Sequence, residues 1–211
     1  MAFDAVLLDF DGTIVDTSEH ISRAFRYALA EKGYPDITSH QMALYAGKPL
    51  AFVYEAVTGA EQSVIAELRA LHKQWQDEHL SVARLFPDTL AVLDELETRG
   101  VKWGIATARY RSGTLKLIDY FGFNRYDFPL SCGDDGYPAK PNPAIFAHIA
   151  ESLGATPTNC LVVGDGVADI MAGKAMHAKT AWAKYGYGGA EPLPQPADYT
   201  LEDLSGVLEL L

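Results

Sequence analysis

The chain has 211 residues, of which 48% are hydrophobic and 21% charged, and its formal net charge is −11 at pH 7. This length and composition predict a globular protein that can bury a sizeable core, and they differ from those of disordered or membrane proteins. The acidity and the scattered Lys and Arg residues argue against a nucleic-acid partner, because such surfaces need clusters of positive charge.

The N-terminal sequence MAFDAVLLDF has no basic leader region, and no apolar run is long enough to span a bilayer. We therefore expect a cytoplasmic protein with no membrane partner. Cys132 and Cys160 lie far apart and outside any CxxC pattern, so we expect two reduced thiols rather than a disulfide or a zinc site.

The first predicted element is a strand over residues 3–10, which is short and almost entirely apolar, as in strands buried on both faces of a parallel sheet. It runs into AVLLDFDGTIVDT, where Asp9 and Asp11 stand on either side of Phe10. Along a strand this spacing points both side chains the same way, and the two carboxylates repel each other unless a cation joins them. Mg²⁺ is the natural partner, although Asp11-Gly12 alone fits a simple turn equally well.

The next segment, residues 17–82, shows helical patterns and no strand pattern. SEHISRAFRYALAEKG begins with Ser18 as the predicted N-cap, and GAEQSVIAELRALHKQWQDEHL is a second long amphipathic helix. An all-helical insertion after the first strand predicts a cap domain over 17–82, with hinges near 16–18 and 81–87. The core domain is then predicted to comprise residues 1–16 and 83–211.

From about residue 86 onward, strand and helix patterns alternate. The strands are VKWGIATAR, DFPLSC and NCLVVGDG, and the helices DTLAVLDELETRG and NPAIFAHIAESLG end at Gly100 and Gly154. In the first of these helices, Leu90, Leu93 and Leu96 are predicted to share the buried face. The alternation predicts an α/β fold with a doubly wound parallel sheet, whose ligands gather at the carboxyl ends of the strands.

Polar side chains follow several of these strands. Thr107 ends the strand in GIATAR, Asp165 and Asp169 follow the strand in LVVGDGVAD, and Lys140 lies in the proline-bounded loop AKPNP. Together with Asp9 and Asp11, they are expected to meet in one crevice.

In order and spacing, DFDGTIVD, Thr107, Lys140-Pro141 and GDGVADI resemble the motifs of the haloacid dehalogenase-like (HAD) hydrolase superfamily. The likeness is to its phosphoglycolate phosphatase-like branch, which carries a helical cap between the first and second motifs. It covers nearly the whole chain. It implies a Rossmann-like core and a Mg²⁺-dependent phosphatase that acts on a small phosphorylated metabolite, as a monomer or homodimer.

The resemblance also implies roles for individual residues. Asp9 is expected to be the nucleophile that forms an aspartyl-phosphate, and Asp11 the general acid and base. The implied metal site comprises Asp9, Asp165 and the backbone carbonyl of Asp11, with Asp169 orienting Lys140 or a metal-bound water.

Substrate-binding groups are implied as well. Lys140, Thr107 and backbone N–H groups near Gly12 and Ala108 are expected to hold the phosphoryl oxygens. Two further cations are candidate substrate contacts, with a solvated position as the alternative for each: Arg109, which follows the second motif, and Lys48, which lies in the cap sequence YAGKPL.

Two residues depart from the family pattern. Gly166 stands where relatives usually carry Ser or Thr, which would loosen a contact behind the metal ligands. His177 stands where a helix-ending Gly is usual, and we expect it to play a structural role at positive φ.

Several alternatives stay open at this point. A phosphomutase of the β-phosphoglucomutase type keeps both Asp9 and Asp11, a pyrophosphatase of the same branch would suit the core, and a catalytically silent regulator could share the fold. Asp11 argues against relatives that cleave carbon–halogen or carbon–phosphorus bonds. A dinucleotide site is disfavoured because Asp169 occupies the position of the third glycine in GxGxxG.

Overall fold

The structure is a computed structural model, and it describes residues 3–38, 49–188 and 193–211. The chain divides into two compact units, the larger formed by Met1–Asp16 with Arg84–Leu211 and the smaller by Thr17–Ala83. Within the described ranges, no helix combines the length and the apolar character that crossing a membrane requires.

A parallel sheet forms the centre of the larger unit. Its strands are β1 (Ala5–Leu8), β4 (Lys102–Ala106), β5 (Leu130–Ser131), β6 (Cys160–Gly164), β7 (Lys179–Ala183) and β8 (Tyr199–Leu201). Their spatial order is β5-β4-β1-β6-β7-β8, so β1 lies between β4 and β6, with Leu8 opposite both Ile105 and Val163. The predicted α/β fold with a doubly wound parallel sheet is therefore confirmed.

The helices of the larger unit follow the predicted alternation. They span Thr89–Thr98, Arg111–Tyr120, Ala144–Ser152 and Val167–Ala175, with short 3₁₀ segments at Phe123–Arg125, Pro157–Asn159 and Leu204–Glu209. Phe146 and Ile149 from one helix pack with Leu7 and Val162 from the sheet in a single core cluster. Burying each such side chain stabilises the fold by about 1.5–3 kcal/mol, and this packing fixes the strands whose ends carry the polar residues.

Helix Thr89–Thr98 corrects one prediction. Its buried residues are Thr89, Val92, Leu93 and Leu96, whereas Leu90 is only partly buried. The buried stripe follows the i, i+3, i+4, i+7 spacing from Thr89, which leaves Leu90 at its edge.

A two-stranded antiparallel ribbon was not predicted from the sequence. It pairs β2 (Val15–Asp16) with β3 (Arg84–Leu85), and Val15 lies opposite Leu85. These strands mark the points where the chain leaves and re-enters the larger unit.

The smaller unit is helical in its described part, with helices Ser18–Glu31, Leu50–Thr58 and Gln62–Glu78 and a 3₁₀ segment at Leu80–Val82. Its core includes Phe25, Tyr54 and Leu68, and the Tyr54 hydroxyl lies 3.0 Å from Nδ1 of His72. The prediction of Ser18 as N-cap is wrong, because Thr17 takes that position and Ser18 is the first helical residue.

Candidate active site

The strand ends bring the first polar residues together. The N–H of Asp9 donates to the carbonyl of Val163 at 2.9 Å, so β1 keeps its register with β6 as far as this carboxylate. Thr107 directly follows β4, and Asp165 directly follows β6. Because β1 lies between β4 and β6 and all three strands are parallel, these residues lie at the same edge of the sheet.

Lys140 connects three of the elements at this edge. Its ammonium donates to Asp9 Oδ1 at 2.6 Å, to Asp169 Oδ1 at 2.7 Å and to the carbonyl of Ala106 at 2.7 Å. Burial alone would lower the pKa of Lys140, but the carboxylates of Asp169 and Asp9 outweigh it and raise the pKa above its ordinary value. Lys140 is therefore a charged ammonium placed directly against Asp9.

Three carboxylates form a buried cluster next to this ammonium. Asp9, Asp165 and Asp169 are 7%, 5% and 5% exposed, and each can offer an oxygen within 4.8 Å of the other two. Burial raises the pKa of Asp9 well above its ordinary value, although Lys140 partly opposes the shift. Burial and the charge of Asp169 raise the pKa of Asp165 to about 7.

A cluster of this kind fits a divalent cation. Three acidic groups lie close to one ammonium, and burial raises the pKa of Asp9 and of Asp165 because their ionised forms are poorly compensated. A hard cation that prefers oxygen ligands, such as Mg²⁺, would supply the missing positive charge.

Asp11, which was also predicted for the metal set, does not join this cluster through its side chain. Its carboxylate is held instead by the guanidinium of Arg109, with Nε 3.1 Å from both Oδ1 and Oδ2 and Nη2 2.8 Å from Oδ1. The Arg109 side chain is only 8% exposed, so the alternative in which it is a solvated arginine is wrong. The structure thus places Arg109 in the site, in contact with the predicted acid and base.

The backbone around Thr107 is ordered by local hydrogen bonds. The N–H of Arg109 donates to Thr107 Oγ1 at 3.1 Å, and the carbonyl of Arg109 accepts from the N–H of Gly133 at 2.9 Å. Ala108 lies exposed between them. The predicted substrate-binding residues Thr107, Ala108 and Arg109 therefore form one short segment at the end of β4.

Gly12 packs directly against Asp165. Its φ is +85°, and a Cβ at this position would lie 2.0 Å from Asp165 Oδ2, so no other residue fits here without displacing the carboxylate. The N–H of Gly12 donates to the carbonyl of Val15 at 2.9 Å. The structure therefore shows a steric reason for glycine at this position.

A segment after β7 contacts Asp165 and was missed by the sequence analysis. The N–H groups of Tyr187 and Gly188 donate to Asp165 Oδ2 at 3.0 and 2.7 Å. The indole N–H of Trp182 donates to the backbone carbonyl of Asp165 at 3.0 Å. The glycine-rich run KYGYGG that follows this strand is the signal that could have indicated a close backbone approach.

The sequence analysis also singled out Gly166, His177 and Lys48. Gly166 precedes helix Val167–Ala175, and its N–H donates to Asp169 Oδ2 at 3.1 Å. His177 has a φ of 59°, which confirms the predicted positive φ at this position, and its side chain is exposed. Lys48 lies outside the described residues.

Comparisons with known proteins show which family the sequence matches. A family model described as haloacid dehalogenase-like hydrolase matches residues 6–183. Among related proteins, a pyrophosphatase PpaX of Anoxybacillus flavithermus is 30% identical, with 100% of this chain and 98% of that protein covered. A phosphoglycolate phosphatase of Aquifex aeolicus is 28% identical, with 98% of this chain and 95% of that protein covered.

Solved structures show the same fold. The crystal structure of a predicted phosphoglycolate phosphatase from Haemophilus somnus superposes with a TM-score of 0.91 at 20% identity, covering 99% of this chain and 97% of that chain. A HAD-superfamily hydrolase from Geobacter sulfurreducens superposes with a TM-score of 0.75 at 20% identity, covering 98% of this chain and 95% of that chain.

Proposed function

Because the chain belongs to the haloacid dehalogenase-like hydrolase family, we propose that it is a Mg²⁺-dependent phosphatase acting on a small phosphorylated metabolite. The observation that carries this proposal is the environment of Asp9. Its carboxylate lies at the end of the central strand, 2.6 Å from the Lys140 ammonium and within a buried acidic cluster. A carboxylate held in this way is suited to attack phosphorus.

In the first proposed step, an oxygen of Asp9 forms a bond to the phosphorus atom while the bond from phosphorus to the leaving oxygen breaks. Asp11 gives its proton to that leaving oxygen, so the product departs as an alcohol or a protonated phosphate. The protein is left with an aspartyl-phosphate on Asp9.

In the second step, the Asp11 carboxylate accepts a proton from water, whose oxygen attacks the phosphorus atom. The bond between phosphorus and Asp9 breaks and inorganic phosphate leaves. Asp9 is again a free carboxylate, and Asp11 has regained the proton that it gave up in the first step, so both return to their starting states. Dividing the reaction in this way replaces one difficult displacement with two easier ones.

The surrounding residues stabilise charge and fix geometry. Lys140 faces the negative charge that gathers between Asp9 and the phosphoryl group, and Thr107 with the backbone of Ala108 would bind phosphoryl oxygens. Asp9, Asp165 and the backbone carbonyl of Asp11 would hold Mg²⁺, with Asp169 supporting the site through its contact with Lys140. When bound, the cation offsets the repulsion between the acidic cluster and an anionic substrate.

Phosphoglycolate and pyrophosphate are the two substrates that relatives suggest. Phosphoglycolate phosphatases and PpaX pyrophosphatases both match this chain at 28–30% identity over nearly its whole length. We propose a phosphoglycolate-like monoester as the substrate, with pyrophosphate as the second candidate. The unit Thr17–Ala83 is proposed to be the cap that contributes to substrate choice, and the protein is proposed to act in the cytoplasm.

A substrate panel tests the proposed activity. Purified protein with Mg²⁺ is incubated with phosphoglycolate, pyrophosphate, sugar phosphates and nucleoside monophosphates, and inorganic phosphate is measured. We expect release in proportion to the substrate consumed, loss of activity in EDTA, and recovery with Mg²⁺ but not with Ca²⁺, whose looser coordination suits this chemistry poorly. Full activity in EDTA would contradict metal dependence, and isomerised sugar phosphates without net phosphate would indicate a phosphomutase.

A further inference from the structure

We infer that Tyr185 is a positioning residue for the metal site, because its hydroxyl ties the segment that holds Asp165 to the turn that contains Asp11. Asp165 and the backbone carbonyl of Asp11 are two of the proposed ligands, and they come from different strand ends. The inference rests on the proposed Mg²⁺-dependent function and adds to it a residue that acts through the ligands rather than by touching the cation. Such a residue changes the affinity of the site for its metal.

The hydroxyl of Tyr185 reaches the turn between β1 and β2. It donates to the backbone carbonyl of Thr13 at 2.8 Å, across a sequence separation of 172 residues. Thr13 follows Asp11 and Gly12 in this turn, and the N–H of Gly12 donates to the carbonyl of Val15 at 2.9 Å. The turn is thus closed by its own backbone, and the Tyr185 hydroxyl attaches it to the segment that follows β7.

The backbone that follows this tyrosine holds Asp165. The N–H groups of Tyr187 and Gly188 donate to Asp165 Oδ2 at 3.0 and 2.7 Å. Gly186 lies against both halves of the site, because a Cβ there would be 2.3 Å from the carbonyl oxygen of Gly12 and 2.3 Å from Asp165 Cβ. Atoms packed this closely move together, so the segment fixes the distance between the turn and Asp165.

The ring of Tyr185 is itself held in place. It packs edge-to-face on Phe86, with the ring centroids 5.0 Å apart and an interplanar angle of 73°, an arrangement that aromatic pairs favour. The hydroxyl of Thr89 lies 3.0 Å from the carbonyl oxygens of both Phe86 and Ile14, so Phe86 is attached to the same turn. The Tyr185 hydroxyl is therefore presented to Thr13 in a fixed position.

Loss of the hydroxyl would let the two halves of the metal site shift separately. Mg²⁺ requires nearly ideal octahedral geometry with oxygen ligands at about 2.0–2.1 Å, whereas Ca²⁺ accepts about six to eight oxygen ligands in flexible arrangements. A small displacement of the turn relative to Asp165 would therefore weaken Mg²⁺ binding much more than Ca²⁺ binding. This difference distinguishes a residue that positions ligands from one that only stabilises the fold.

The test measures Mg²⁺ and Ca²⁺ binding to the metal-free protein by isothermal titration. Tyr185→Phe removes the hydroxyl and keeps the ring, and it should weaken Mg²⁺ binding about tenfold and Ca²⁺ binding less than about threefold. Tyr126→Phe is the matched control, since the Tyr126 hydroxyl donates to Asp94 Oδ1 at 2.7 Å and its ring packs edge-to-face on Trp103. The control should leave both affinities unchanged.

Thermal unfolding of the metal-free proteins shows whether Tyr185→Phe is folded and how much stability it has lost. A lower unfolding temperature together with equal losses of Mg²⁺ and Ca²⁺ affinity would indicate a purely structural hydroxyl and overturn the inference. Unchanged Mg²⁺ affinity in Tyr185→Phe would also overturn it and leave the proposed function standing. Absence of Mg²⁺ binding by the parent protein would count against the proposed metal dependence and would overturn this inference with it.

Discussion

The orientation of the Asp165 carboxylate depends on backbone groups that lie far from it along the chain. Tyr187 and Gly188 donate their N–H groups to its Oδ2 atom, and a Cβ at position 188 would lie 3.0 Å from that same oxygen. The carboxylate is therefore held in one orientation by contacts that only a close backbone can make. Groups that orient a metal ligand typically change metal affinity 10–100-fold when they are altered.

Gly188→Ala should weaken Mg²⁺ binding about tenfold, because the added methyl group pushes on Asp165 Oδ2. Isothermal titration with Mg²⁺ measures this directly. Gly206→Ala is the control, since its Cβ would only touch the Leu201 side chain at 3.2 Å. Unchanged Mg²⁺ affinity in a folded Gly188→Ala protein would show that this segment does not position Asp165.

Some of the residues at the site could be predicted from the sequence, and others could not. Asp9, Thr107 and Asp165 could be predicted because each directly follows an apolar run, and parallel strands bring such residues to one edge. The N–H groups of Tyr187 and Gly188 could not, because every residue except proline carries this donor. The fork of Arg109 onto Asp11 depends on tertiary placement of a long side chain, which spacing does not reveal.

At the level of secondary structure, Asp198 joins three parts of the larger unit. It accepts from Lys174 at 2.8 Å, from Lys179 at 2.8 Å and from the hydroxyl of Thr180 at 2.9 Å. Burial would raise the pKa of Asp198, but these bonds outweigh it and lower the pKa well below its ordinary value. The ionised carboxylate thus connects the start of β7 and a neighbouring helix to the residue that precedes β8.

Asp198→Asn should lower the free energy of unfolding by about 1–3 kcal/mol at pH 7. The folded-state pKa is depressed, so this contribution is complete above about pH 5 and declines as the pH falls below 3.8 toward the folded-state value. Urea unfolding at pH 7, 5 and 3 should show the gap in unfolding free energy between parent and variant narrowing only at pH 3. Glu202→Gln, which breaks an exposed pair with Lys184, serves as the control and should cost less than about 1 kcal/mol. A gap independent of pH would contradict the role of the Asp198 charge.

Strands and helices could be predicted where the sequence showed one clear hydrophobic pattern. β1 and β6 stood out as apolar runs, and Gln62–Glu78 as an amphipathic repeat. Helix Leu50–Thr58 falls within the segment predicted to be helical, but its bounds were not predicted because LAFVYEAVT is rich in β-branched and aromatic residues and lacks a clear polar face. The β2–β3 ribbon has two residues in each strand, which is too short for a periodic pattern to be visible.

The acidity of the whole chain bears on the proposed function. The chain carries a formal net charge of −11, and within its described part the buried carboxylates of Asp9 and Asp169 lie against the ammonium of Lys140. An acidic protein that handles phosphate must offset the repulsion between like charges, and a bound divalent cation does so locally. The proposed chemistry depends above all on one carboxylate of this cluster, that of Asp9.

The variant Asp9→Asn tests whether Asp9 is the nucleophile. The amide preserves the shape of the side chain but cannot form an aspartyl-phosphate, so phosphate release from the best substrate of the panel should fall at least about 1000-fold. Thermal unfolding confirms that the variant is folded. Turnover within tenfold of the parent, measured with Mg²⁺ on the same substrate, would contradict the assignment of Asp9 as the nucleophile.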